Sequence, residues 1–346
     1  MKPSIRTISQ LTGFSVSTVS NALNGKRGVN KETAEQIHKV AEEIGYSLDP
    51  KVNHIRLVIY TDSGSVVNDS PFFTLMFAGI EKECRKFGYS VMPQWLNRSS
   101  PEYDKQLAGL LSESSSALLV LGTEMEEAEA AKFVDAVGPV VILDNWYENL
   151  PFDAILIDNT DAVCNAVNQL IAKWHKKIGY LCGKVEIKNF YYRKQGYLRA
   201  LLESGLEYNP KYTFPLTTNM QDAYQDMLEV LQNTQELPTA FFCDNDMIAL
   251  GAMRACQQCG YRIPEDISFI GFDDLSFSAI SNPPLTTVKV YNEELGSAAV
   301  RRLVELVNYG KEYRSKIQIS SQFVERNSVL DKKAVKAEDI RGLGIG

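Results

Sequence analysis

The chain has 346 residues, 45% of them hydrophobic and 23% charged. This composition can bury a large core, which excludes a mostly disordered chain, and the length suits roughly two or three domains. No apolar run of about 18 residues occurs and Met1 to Arg6 lacks the apolar stretch of a secretory signal, so neither a membrane span nor export is expected.

Six cysteines, at 84, 164, 182, 243, 256 and 259, are scattered through apolar stretches, the pattern of a reduced, cytoplasmic protein. Cys256 and Cys259 form a C-x-x-C inside an apolar-periodic segment with no second Cys/His pair nearby, so helix packing is expected there, not a metal or redox site. The net charge of −7 argues against nucleic acid, but its distribution reverses the argument. Residues 1–31 hold Lys2, Arg6, Lys26, Arg27 and Lys31 and no acid, whereas residues 61–346 hold 28 basic and 38 acidic groups. A basic head on an acidic body is the asymmetry expected when one end meets phosphate.

The head reads as three short helices. Ile5, Ile8 and Leu11 mark the first, over 5–11. Gly13 can take the positive φ of a sharp turn, and Ser15 or Ser17 can cap a second helix over 16–23 that turns Val19, Ala22 and Leu23 inward. A third helix follows the cap candidate Asn30 and runs over 31–44, with Ala34, Ile37, Val40, Ala41 and Ile44 as its apolar row. Helix, glycine turn, helix is the helix-turn-helix plan, in which the second helix enters the major groove and small polar residues near its start let the backbone approach base edges.

The run Ser4 to Lys26, then Gly28-Val29-Asn30-Lys31-Glu32-Thr33, then Gly45-Tyr46, closely resembles the headpiece of the lactose-repressor (LacI/GalR) family. The resemblance implies that Val16 and Ser17 read bases, that Thr18 and Ser20 bond phosphates or bases, and that Asn24 contacts backbone or base. Arg6 and Ser15 join this DNA-contacting set. Asn21 stands where the family usually has Arg; Asn pairs with adenine and Arg with guanine, so a different operator base is expected there.

After Gly45-Tyr46 the family carries a hinge helix whose Leu wedges into the minor groove. Here Ser47 to His54 contains no A-R-x-L, and Pro50 disfavours a helix through Asp49. A short linker over 48–54 is expected, with operator DNA not kinked by a wedge, or with Val52 or Leu48 as a poor substitute. His54 reads as a solvated linker residue.

From 55 to about 330 strands alternate with helices. Strands are expected at 55–60, 89–95, 117–121, 139–143, 154–157, 177–182, 239–243 and 267–270; helices at 71–87, 101–113, 125–136, 159–174, 190–204, 220–233, 245–259 and 292–309. This alternation implies parallel sheets covered on both faces, binding ligands at the C-terminal strand ends. So many βα units predict two doubly wound subdomains. Runs such as Phe241-Phe242-Cys243-Asp244-Asn245-Asp246, Phe269-Ile270-Gly271-Phe272-Asp273-Asp274 and Pro284-Leu285-Thr286-Thr287-Val288 look like the core of the same family, which is similar to periplasmic sugar-binding proteins.

The resemblance implies an all-α headpiece over 1–47 and an α/β core over 55–330 of the periplasmic-binding-protein type. Its subdomains would be about 55–160 with 287–318, and 161–285 with 319–330, followed by a tail over 331–346 without a tetramerising leucine heptad. The effector would lie between the subdomains. Carboxylates, amides and guanidinium groups pair with neighbouring sugar hydroxyls, and aromatic rings cover apolar sugar faces. Asp144, Asn245 and Asp273 follow strands and Arg193 leads a helix; the resemblance places all four at effector-contacting positions. Phe72, Phe73, Trp146 and Phe272 are stacking candidates. Plainer roles stay open: a turn acid at Asp273, a surface ion pair for Arg193, a helix cap for Asn245, core packing for one of the Phe72 and Phe73 rings. His175 is expected to pack rather than touch ligand.

No G-x-S-x-G, H-E-x-x-H or phosphate-loop motif occurs, and three histidines leave no His-rich metal site, so neither an enzyme nor a bound cofactor is expected. The expected protein is a cytoplasmic, homodimeric transcriptional regulator, a repressor of carbohydrate-utilisation genes on a palindromic operator, controlled by a sugar-like effector. A corepressor-dependent regulator answering to a purine-like ligand or a phosphocarrier protein shares every motif.

Overall fold

The computed structural model describes residues 5–23, 29–44, 52–67, 71–310 and 313–334. They belong to two compact units, one ending at Val52 and the other beginning at Asn53.

The first unit contains α1 (Ile5–Thr12), α2 (Val16–Leu23) and α3 (Lys31–Glu43). Gly13 has φ 75°, the left-handed turn that separates α1 from α2. Ser15 rather than Ser17 caps α2: its Oγ accepts the Thr18 N–H at 3.1 Å. Asn30 caps α3 by accepting the Thr33 N–H at 2.7 Å. Ile8, Val19, Ala22, Leu23, Ile37 and Ala41 form the core. Leu11, expected on the inner row, is 60% exposed. Each three-residue step falls about 60° short of a full turn, so a row kept at that spacing drifts off the buried face.

The second unit is built in chain order from β1 (His54–Thr61), α4 (Phe72–Lys86), β2 (Ser90–Asn97), α5 (Tyr103–Ser112), β3 (Ser116–Leu121), α6 (Glu127–Ala131), β4 (Val140–Leu143) and β5 (Asp153–Ile157). Then come α7 (Asn159–Ala172), β6 (Ile178–Gly183), α8 (Lys188–Glu203), β7 (Thr213–Leu216), α9 (Met220–Asn233), β8 (Ala240–Cys243), α10 (Asp246–Gln258), β9 (Ser268–Ile270) and α11 (Ser276–Ile280). It ends with β10 (Thr287–Lys289), α12 (Asn292–Tyr309), β11 (Lys316–Ile319) and β12 (Gln322–Val324). Each expected strand and helix has a counterpart, although the expected 125–136 helix breaks into α6 and a 3-10 turn over Lys132–Asp135. β7, α11 and β10 to β12 were not expected; all are five residues or shorter, too brief to show a period.

One parallel sheet has the order β11-β5-β4-β3-β1-β2 and a second has the order β7-β6-β8-β9, while β10 and β12 form a separate antiparallel pair. The chain leaves the first sheet after β5, returns to its helical cover with α12, and adds β11 beside β5. It reaches the second sheet again near its end, where Phe269 N–H donates to the Ser328 carbonyl at 2.8 Å. Strands β3, β4 and β5 are buried along their whole length, as helices on both faces require. Helices α4 and α12 cross at two glycines: a Cβ on Gly79 would lie 2.2 Å from the Glu293 carbonyl oxygen, and one on Gly296 2.3 Å from that of Met76.

Two linker and core expectations need correction or refinement. His54 is not a solvated linker residue: it opens β1, with Nε2 3.0 Å from Glu113 Oε1, a carboxylate that also takes Arg56. In the C-x-x-C, Cys256 is buried in the core of the second sheet and Cys259 is exposed at the end of α10.

Candidate functional site

The C-terminal ends of the two parallel sheets face one cleft of about 490 Å³, its open mouth included. Ser65 and Val66 come from the loop after β1, Thr123 from after β3, Asp144 from after β4, Thr218 from after β7, Asn245 from after β8 and Asp273 from after β9. Asn189, Phe190 and Arg193 project from the first turns of α8, and Phe72 and Phe73 from the start of α4. Of the expected effector contacts, the cleft therefore brings together Phe72, Phe73, Asp144, Arg193, Asn245 and Asp273.

Arg193 is buried, not a surface ion-pair partner. Its Nε donates to Asn159 Oδ1 at 2.9 Å, its Nη1 donates to the Asp244 carbonyl, and its Nη2 lies 3.8 Å from Asp273 Oδ1. Asp144 sits at φ 65°, with Oδ2 accepting from the Thr123 hydroxyl at 2.6 Å and Oδ1 from Asn189 Nδ2 at 3.0 Å. Burial raises its carboxyl to about 6, opposed by those two hydrogen bonds and by Arg193. Asp273, at φ 114°, is raised well above the ordinary carboxyl range by burial; Arg193 opposes the shift, and Asp246, Asp144 and Asp244 add to it. Asp244 rises to about 6 by burial although it accepts from the Tyr180 hydroxyl and the Gly183 N–H. Of these carboxyls, Asp144 and Asp273 line the cleft with Arg193, whereas Asp244 does not.

Asn245 both lines the cleft and caps α10, its Oδ1 accepting the Ile248 N–H at 2.8 Å, so the plainer role holds alongside the exposed one. Phe72 and Phe73 both reach the cleft, their rings edge to face at 5.1 Å.

Two stacking expectations are corrected. Phe272 does not line the cleft: it is fully buried beneath the Arg193 guanidinium, whose central carbon lies 3.8 Å from the ring centroid. Trp146 does not line it either, but a neighbouring cavity with Lys188 and Lys316. Asp144, at a left-handed φ just after β4, lines the cleft, whereas Trp146, two residues on, lines the other cavity. His175 packs, its Nδ1 3.0 Å from Thr239 Oγ1 and its Nε2 3.0 Å from the Leu330 carbonyl.

Sequence reasoning missed Thr123, Asn189, Thr218 and Ser65. The strand-end rule that picked Asp144 could have found Thr123 and Ser65, which follow expected strands, but Thr218 follows the unexpected β7. It also missed Glu124, which never touches the cleft. Its Oε2 accepts the N–H groups of Asp62, Ser63 and Gly64 at 3.0, 3.1 and 2.8 Å, and its Oε1 those of Val66 and Val67 at 2.9 and 3.3 Å. The carboxylate thus folds the loop that carries Ser65.

In the first unit, Arg6, Ser15, Val16 and Ser17 are exposed, and Thr18, Ser20 and Asn21 are half-buried on α2. Ser15 Oγ lies 2.8 Å from both Ser17 Oγ and Thr18 Oγ1, a hydroxyl cluster at the start of the helix. Asn24, linker residues 45–51 and tail residues 335–346 lie outside the described residues. No helix among the described residues is long and apolar enough to cross a membrane.

Residues 4–49 match the model of bacterial regulatory proteins of the lacI family, and residues 167–329 that of a periplasmic binding protein-like domain. The chain is 32% identical over 332 residues to the HTH-type transcriptional repressor PurR of Aliivibrio salmonicida, covering 94% of this chain and 98% of that one. It is 29% identical to the ribose operon repressor of Haemophilus influenzae, over 95% of this chain and 99% of the relative. The lac repressor dimer bound to operator and the anti-inducer ONPF superposes with a TM-score of 0.71 at 25% identity, covering 94% of this chain and 99% of that one. These relatives are regulators rather than enzymes. A helix-turn-helix head with a cap-ordered second helix, joined to two parallel sheets that share one cleft, agrees with them throughout, and the chain belongs to the lacI family of DNA-binding transcriptional regulators.

Proposed function

We propose that this regulator is a homodimeric repressor whose hold on a palindromic operator is set by a sugar-like effector in the cleft. The lobes would be residues 55–160 with 287–318, and 161–285 with 319–330. The observation that carries the effector class is the placing of Asp144 and Asp273, two buried carboxyls, with Arg193 in one cleft beside Phe72 and Phe73. Adjacent sugar hydroxyls donate to carboxylates and accept from a guanidinium, while rings cover the C–H face. Val16, Ser17, Thr18, Ser20, Asn21 and Asn24 would contact the operator, with Arg6 and Ser15 on phosphates.

A dimer suits the chain because Leu75, Phe87, Met92 and Trp95 on one lobe and Phe277 and Ile280 on the other are exposed apolar residues. Effector binding would shift the lobes and so the spacing of two heads, and operator must then change effector affinity by the same factor.

A purine-like corepressor is the second reading, favoured by relatives named PurR. A thermal-shift screen of pentoses, hexoses and nucleobases, followed by operator titration with each hit, separates the two. A sugar that stabilises the protein and loosens operator supports the first reading; a nucleobase that tightens operator replaces it with the second. Asp273→Ala should abolish the response and leave basal operator binding intact, and loss of both would remove Asp273 from the effector site.

A further inference from the structure

We propose that the cavity around Trp146, Lys188 and Lys316 is a second binding site, one that takes the phosphate group of a small metabolite. Its volume, open mouth included, is about 450 Å³, close to that of the effector cleft, and it shares Ile157 and Asn189 as a wall with that cleft.

Its chemistry differs from that of the cleft. Among the described residues no acidic side chain lines it, whereas Lys188 and Lys316 both do. Both ammonium groups sit against the same indole: Lys316 Nζ lies 3.3 Å and Lys188 Nζ 5.2 Å from the Trp146 ring, with Lys188 also 4.6 Å from the Tyr147 ring. Tyr192 stacks on Trp146 at 6.4 Å, which fixes the indole from within the cavity. Lys188 donates to the Trp146 carbonyl, so its charge is held in place rather than swinging in solvent. It is also the first residue of α8, a 16-residue helix with no acid in its first turn, and the positive end of the helix dipole lies there.

Holding these cations together is unfavourable without a counter-charge. Desolvation against the cavity wall pulls both lysines below their ordinary range, although Lys316 also reaches solvent, and Lys188 depresses Lys316 further. Glu148 opposes this at both lysines and Glu127 at Lys188, from outside the cavity. A dianion with three oxygens can accept from two ammonium groups at once and relieve their repulsion, which a neutral sugar cannot do. The phosphate could be free, or it could belong to a molecule whose remainder lies in the effector cleft across the shared wall.

The test uses the full chain with Trp95→Phe and Trp174→Phe, which leaves Trp146 as its indole probe. Inorganic phosphate, ribose 5-phosphate and ribose are titrated at constant ionic strength. A saturable change in Trp146 fluorescence with a phosphate probe, weakened at least tenfold in Lys188→Gln/Lys316→Gln and retained in Lys188→Arg/Lys316→Arg, supports the site. Lys316→Gln alone, on edge strand β11, carries the test if the double variant does not fold. Asp273→Ala separates the two sources: unchanged phosphate binding marks a free-standing anion site, and loss confined to ribose 5-phosphate marks a ligand shared with the cleft. Absence of a saturable phosphate response, or its survival in Lys188→Gln/Lys316→Gln, overturns the proposal, and neither result bears on the effector reading of Asp273.

Discussion

The Thr218 hydroxyl donates a 2.8 Å hydrogen bond to the Ser65 carbonyl, so the loop after β7 and the loop after β1 hold each other across the cleft. Asn189 makes a second crossing, from α8 to the Asp144 carboxyl and to its carbonyl at 3.3 Å. The two sheets are thereby tied at two points among the residues that line the cleft.

Replacing Thr218 with Val keeps the shape and removes that tie. A net hydrogen bond is worth about 1 kcal/mol, which corresponds to roughly fivefold in an equilibrium constant. Effector affinity, measured by calorimetry, should fall by about that factor with the operator affinity of the effector-free protein unchanged. An unchanged effector affinity would show that the Thr218–Ser65 bond does not contribute to the bound arrangement.

Glu124→Gln places an NH₂ where one oxygen accepts backbone N–H groups, whichever way the amide turns. Two donors then face each other in a part-buried loop, a cost of about 1–3 kcal/mol. Urea unfolding should show this loss, and effector binding should weaken with it because Ser65 and Val66 lose their support. A loss below about 0.5 kcal/mol would mean the loop holds its shape without the carboxylate.

Ser15 and Ser17 are neighbours with different work. Ser15→Ala removes the cap of α2 and should cost about 1 kcal/mol of headpiece stability, weakening all operators alike. Ser17→Ala removes an exposed hydroxyl and should change the ranking of operator variants with little change in stability. Binding to a panel of single-base operator variants, alongside thermal melts, distinguishes the two, and identical profiles would count against both roles.

His175 is held neutral: burial lowers it from 6.5, the Leu330 hydrogen bond opposes, and Lys332 and Lys173 add to the lowering. A histidine whose folded pKa is depressed binds fewer protons folded than unfolded in the window below 6.5. Its contribution to stability is therefore complete above that pH and declines as pH falls through the window. Asp144, Asp244 and Asp246, raised to about 6, act in the opposite sense and gain relative stability as pH falls from about 6. The readout is accordingly the difference between parent and His175→Gln melts from pH 7.5 to 5. The parent should lose its advantage on the acid side, and a constant difference would sink the assignment.

The heads of the strands and helices were legible because each carries its own period and punctuation. Val140 to Leu143 is an apolar run stopped by Asp144, and Asn245 to Gln258 opens on a cap and keeps one inward face. Acids placed just after such runs are visible as site candidates from sequence alone, because parallel strands end where ligands bind. Trp146 and Phe272 failed for a reason the run cannot show. Both follow or flank a strand end as Asp144 and Asp273 do, but which space each ring fills is set by the folded loop and its long-range partners, Lys188 and Lys316 for Trp146 and Arg193 for Phe272.

What the amino-acid order determined by itself is the division of labour: a basic, capped three-helix head, and an acidic body of alternating strands and helices with polar groups at the strand ends. Those features are local, set by charge, period and capping over a few residues. What only tertiary structure decided is which strand ends meet. The order β11-β5-β4-β3-β1-β2 beside β7-β6-β8-β9, the close crossing at Gly79 and Gly296, and the seating of Arg193 between Asn159, Asp244 and Asp273 all join residues far apart in the chain. Such contacts arise from packing complementarity over the whole unit, which no local window contains.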